Sequence, residues 1–211
     1  KIIAILTPLF LFATVAAKAE IGIGVTGALH MFDGSGTETT RTSAQKNTGS
    51  HTHDVLVPEI FVEAIGDTGF TLGLSFIPTR EMGSKSRSDT NSAGDTGTYT
   101  AKGEIGSHAL VYMDINMGEA LGSTVYGKLG FSRATIVTNE SLNSGSTYQN
   151  KDVYGFTVGL GGRGTISGPY FYKVEGTYTN YEEYSDTSSA SNKVAFDTEI
   201  YSAKLSLGMA F

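Results

Sequence analysis

The sequence predicts an all-β protein: an eight-stranded, antiparallel, up-and-down barrel that crosses a membrane. Three observations predict it. Apolar residues recur at every second position in eight separate segments. The positions between them hold mainly Gly, Thr, Ser and Ala, which suits the crowded inside of a narrow barrel and not a face turned to water. The connections alternate long and short, as in a barrel with tight turns at one end only.

The elements follow in order. Lys1, the apolar stretch Ile2 to Ala17 and the small-x-small site Ala17-Lys18-Ala19 read as a cleavable secretory signal over residues 1–19. That stretch is shorter than the roughly 18–20 residues of a membrane-spanning helix. The barrel is expected over residues 20–211. Ile21, Ile23, Val25, Leu29 and Met31 alternate with Gly22, Gly24, Thr26, His30 and Phe32. Leu56, Ile60 and Val62 alternate with Val57, Glu59, Phe61 and Glu63. Phe70, Leu72, Leu74 and Phe76 oppose Thr71, Gly73, Ser75 and Ile77. Near Tyr99 to Ile115, the pattern sets Ile105, Ala109, Val111 and Met113 against Lys102, Glu104, His108, Tyr112 and Asp114. Val125, Leu129 and Phe131 oppose Tyr126, Lys128 and Ser132. Tyr154, Phe156, Val158 and Leu160 oppose Gly155, Thr157, Gly161 and Arg163. Tyr170, Tyr172, Val174 and Tyr178 oppose Lys173, Glu175, Thr177 and Thr179. The eighth strand runs from about Val194 to Phe211. Long loops are expected near 33–54, 79–98, 139–152 and 182–193. The first two can instead hold β-ribbons that lengthen their strands, since neither has an apolar alternating run long enough to span a bilayer.

Composition narrows the function. Charged residues make up 17% and hydrophobic residues 39% of the 211, with 27 Gly and no Cys. Low charge argues against a disordered acidic chain, and the lack of Cys leaves hydrogen bonding and burial to hold the fold. Without the signal, 13 basic residues face 21 acidic ones, a net charge of −8, which disfavours nucleic acid as a partner. The alternation turns Glu59, Glu63, Lys102, Glu104, Asp114, Lys128, Arg163, Lys173, Glu175 and Lys204 inward. These acids and bases balance, and buried ions need partners, so an internal ion-pair network is expected. A gated ion path through the same charges is the alternative. His51-Thr52-His53 has a spacing that a metal can use, but without a completing ligand set it reads as solvated. The glycines of Gly159 to Gly164 precede no helix and cradle no phosphate; they read as close packing in a strand. No catalytic, cofactor-binding or metal residues are assigned.

The stretches Val125 to Ala134, Gly155 to Gly164 and Tyr172 to Tyr184 resemble strands of the small bacterial outer-membrane barrels. These are the OmpA transmembrane-domain, OmpX and opacity-like porin group. Leu207, Met209 and Phe211 resemble that group's C-terminal assembly signal, with Gly208 nearer the end than usual. The resemblance implies a Gram-negative outer-membrane location with the long loops outside. It implies outer-membrane lipids, lipopolysaccharide and the barrel-assembly machinery as partners, with an extracellular ligand at the loops. A structural or adhesin-like role is the first expectation. A narrow porin comes second and a lipid-modifying enzyme third. The lipid A deacylases among such barrels need a His and Ser on the lipid side, and here His30 and His108 fall on the inner face.

Overall fold

The structure is a computed structural model. It describes residues 19–39, 46–67, 69–90, 96–140, 148–188 and 191–211, so residues 1–18 of the expected signal segment lie outside the described residues. The strands are β1 (Glu20–Thr39), β2 (Lys46–Ile65), β3 (Phe70–Ile77), β4 (Arg80–Thr90), β5 (Thr96–Ala120), β6 (Ser123–Glu140), β7 (Lys151–Ser167), β8 (Tyr170–Tyr181), β9 (Tyr184–Thr187) and β10 (Lys193–Ala210). Every pairing is antiparallel, and β10 pairs with β1, so the sheet closes on itself. Short β4 continues β3 past Pro78 and Thr79, and short β9 continues β8. The ring therefore has eight staves, as the alternation predicts.

A strand that alternates presents its two faces to two environments. The outward face carries Ile23, Val25, Leu29, Leu56, Ile60, Phe76, Phe131, Phe156, Val174, Leu205 and Leu207, all exposed. Together they make an apolar girdle around the ring. On β1 it runs from Ile23 to Met31, close to the roughly nine residues with which a tilted strand crosses a bilayer. Phe131 stacks on Tyr154 and Tyr178 packs on Tyr201 toward one margin of this girdle.

The 20 residues of β1 extend about 66 Å at about 3.3 Å each, roughly twice the length of a crossing. Residues 33–39 and 46–54, expected as loop, are strand and pair as a ribbon beyond the girdle. Residues 80–90 and 96–105 do the same. Strand pairing needs only backbone groups, so Ser, Thr and Gly continue a ladder that hydrophobicity no longer marks. At the other end the turns are tight. Leu121 and Gly122, at φ 53° and 75°, join β5 to β6 in the doubly left-handed turn that favours strand twist.

One stretch corrects the expected faces. The β5–β6 register shifts between Gly106 and Ala109, where Ser107 has φ 48°. This bulge changes which face each preceding residue takes. Ile105, expected outside, is fully buried in the interior. Lys102 and Glu104, expected inside, lie outside and pair with each other at 2.7 Å, and Lys102 also meets Glu81 at 3.1 Å.

Interior aromatic rings lie across directly paired glycines: Tyr112 on Gly73, Tyr126 on Gly161, Phe61 on Gly24 and Phe171 on Gly208. A Cβ at any of these glycines would collide with the ring. Eight staves leave little room inside, and these positions give it to the aromatic partner.

Candidate functional site

The interior is layered from the turn end to the ribbon end. The first layer is ionic. Lys173 Nζ on β8 lies 3.0 Å from Asp114 Oδ2 on β5 and 3.2 Å from Glu63 Oε2 on β2, across the bore. Arg163 on β7 pairs with Glu63. Lys128 on β6 binds Asp114 at 3.0 Å and Glu175 at 2.8 Å, with the Tyr112 ring 3.4 Å from its ammonium. Tyr112 Oη donates to Glu63 Oε2 at 3.0 Å. Lys173 and Glu63 are each 1% exposed.

A second layer holds Glu59, whose carboxylate accepts from Lys204 Nζ at 2.9 and 3.0 Å and from His30 Nε2 at 3.1 Å. Thr26 and Ser206 share a hydrogen bond of 2.7 Å beside it, across the β1–β10 closure. The third layer was not foreseen. Arg80 Nη2 donates to His108 Nδ1 at 2.8 Å, and His108 Nε2 meets Tyr181 Oη at 2.9 Å. Arg80 fell in a segment read as loop, and its partners are remote in sequence; no local signal marks it. His30 and His108 lie inside, as the alternation places them.

Above these layers sits an apolar plug. Phe32, Ile105, Ala134, Ile136, Val153, Tyr181, Tyr184 and Ile200 pack together, with Met82 and Phe196 against them. On the plug rests a cavity of about 270 Å³ lined by Phe32, Met82, Phe196, His51 and several glycines. His51 and His53 lie on β2 with stacked rings 6.3 Å apart rather than in a loop.

The wall beside this cavity has a seam. Among the described residues, the β2–β3 ladder runs from Ile65↔Thr71 to Ile60↔Phe76, and β4 pairs with β5. Among the described residues, the part of β2 before Ile60 is laddered only to β1. Pro58 contributes no donor there, and Pro78 follows the last residue of β3. Leu56, 74% exposed, and Pro58 face outward along the seam, within the girdle.

Outside the girdle, the exposed ribbons carry their own polar contacts. Asp186 Oδ2 accepts from the Gln149 N–H at 2.9 Å, which holds its carboxyl below the usual 3.8. Glu104 and Glu81 hold the Lys102 ammonium above its ordinary value, and Lys102 holds the Glu81 carboxyl below its own. At the opposite end, Ile21 and Phe211 exchange two backbone hydrogen bonds of 2.9 and 3.0 Å, completing the closure. Leu207 faces outward on the same strand and Phe211 is exposed.

No protein-family model matches the chain, and no curated protein matches it in sequence. Solved structures do match in shape. The outer membrane protein OprG from Pseudomonas aeruginosa aligns with a TM-score of 0.60 at 14% identity, over 92% of this chain and 98% of OprG. The outer membrane protein AlkL, determined by solid-state NMR in lipid bilayers, aligns with a TM-score of 0.50 at 11% identity, over 92% of this chain and 90% of AlkL. The fold is that of the small outer-membrane β-barrels. The group named from the strand motifs stays a resemblance.

Proposed function

We propose that the chain is an integral protein of the bacterial outer membrane, closed to ions along its axis, which takes up small apolar molecules at its outer mouth and releases them sideways. The observation that carries this reading is an apolar cavity above a blocked bore and beside an unladdered seam. A solute in the cavity meets the plug below it and then the ionic layers, which offer an apolar molecule nothing. Sideways, it meets a wall that among the described residues has no backbone ladder to break, and then the lipid level marked by Leu56. The ribbon end faces outward, as in known barrels with long connections on that side. The reading is of a binding and transport barrel, not an enzyme. His30 and His108 are engaged by Glu59, Arg80 and Tyr181.

Two measurements test it. Planar-bilayer recording of the purified barrel is expected to show no steady, large conductance. Proteoliposomes are expected to take up a fluorescent apolar probe, and Met82→Arg, which puts a charge in the cavity, is expected to abolish that uptake while the barrel still shifts on a gel when boiled. Uptake unaltered by Met82→Arg, or a large open conductance, sinks the reading. The adhesin-like reading is favoured by the ribbons that extend beyond the girdle. Loss of cell binding on trimming them, with uptake intact, would support it instead.

A further inference from the structure

We infer that the interior holds a small monovalent anion, a halide or a carboxylate of formate size, on the guanidinium of Arg80. Arg80 opens β4 and is 4% exposed. Nη2 donates to His108, while Nε and Nη1 are buried with no hydrogen-bond partner among the described residues. A guanidinium stays charged and presents five N–H donors, so two buried nitrogens without acceptors are a marked deficit. Among the described residues Arg80 forms no ion pair; the nearby carboxylate, Glu59, is occupied by Lys204 and His30.

The charge count points the same way. An arginine only donates, so His108 Nδ1 must accept from it, and the ring's proton sits on Nε2, toward Tyr181. His108 is thus neutral. Arg80 and Lys204 face the single carboxylate of Glu59, leaving one excess positive charge in a place closed to solvent. The deeper network is balanced in charge, since Lys128, Arg163 and Lys173 face Glu63, Asp114 and Glu175. A buried charge without a counterion is strongly unfavourable, and one monovalent anion cancels it. The Phe32 ring, 5.4 Å from the guanidinium carbon, and the plug beyond it limit the anion to a small one.

The test uses the whole barrel, refolded in detergent, with sodium chloride exchanged for sodium gluconate at constant ionic strength so that screening is fixed. An anion that binds only the folded barrel raises the folded-to-unfolded ratio saturably, by about elevenfold at ten times its Kd. The expected result is such a rise in the wild type and none in Arg80→Met, with Arg80→Met the more stable of the two in gluconate. Substituting formate for chloride tells which anion the site takes. Equal chloride responses in both proteins, or no response in either, overturn the inference. If Arg80→Met does not fold, the chloride NMR line width on the wild-type barrel decides. Broadening that bromide relieves supports the site, and a width equal to that of empty micelles refutes it.

Discussion

Lys173→Met breaks the ionic layer at its centre. The ammonium joins Asp114 and Glu63 across the bore and lies 3.7 Å from Glu175. Without it, Glu63, Asp114 and Glu175 face only Lys128 and Arg163. Methionine is close in length to the lysine stem, so the packing loss is small and the effect is electrostatic. Removing one partner of a buried ion pair costs about 3–5 kcal/mol. With a urea m-value of about 2 kcal/mol/M, the unfolding midpoint falls by about 2 M. The assay is urea unfolding in lipid vesicles, followed by the gel band that shifts on boiling and by tyrosine fluorescence, since the chain has no Trp. Adding Glu63→Gln to Lys173→Met leaves two carboxylates facing two cations, so the double variant recovers part of the loss. A loss under about 1 kcal/mol, or strictly additive effects, would refute the reasoning, because both require the charges to be screened or independent.

Three further outcomes are expected. Gly73→Ala drives a methyl into the Tyr112 ring and costs about 1–3 kcal/mol in the same unfolding assay, whereas Gly176→Ala, with open space at its Cβ, changes little. Deleting Phe211 removes its two hydrogen bonds to Ile21; we expect it to slow assembly into vesicles containing the assembly machinery far more than it lowers the stability of the finished barrel, and a normal insertion rate would defeat the assembly-signal reading of Leu207, Met209 and Phe211. Asp186 has a depressed carboxyl, so its contribution is complete above 3.8 and is lost as pH falls through the lower folded value. Protection of the Gln149 amide from hydrogen exchange should follow that titration and lose it in Asp186→Asn.

The staves were legible because the pleat has a strict period of two. Where a strand runs undisturbed, that period places side chains correctly: Glu59, Glu63, Lys128, Lys173, Glu175 and Lys204 are all buried inside. It failed at Ile105, Lys102 and Glu104 because one irregular residue, Ser107, inverts the faces, and a Gly-Ser pair in a Gly- and Ser-rich chain announces nothing. The ribbons were half legible. Their composition resembles loop, and only their pairing shows them to be strand. Which ions meet was less legible than which ions lie inside. Lys204 stands opposite Glu175 in the ladder, yet its ammonium goes to Glu59 on another stave. Long side chains cross a narrow bore, and spacing along the chain does not say in which direction. The seam and Arg80 depend on where one ladder stops beside another, which no single segment encodes.

The closure of β1 on β10 also has a kinetic meaning. Thr26 and Ser206, which share one hydrogen bond, are 180 positions apart in the chain. Every other ladder along the main ring joins strands that are near neighbours in sequence and can form as hairpins. This one can form only when the first and last strands are present together, after the full loop-closure entropy between them has been overcome. Until then both carry bare edges, the groups most prone to pair with a second chain. The step that seals the barrel is therefore the one most exposed to misassembly, and an escort that holds β10 until β1 arrives would act there with greatest effect.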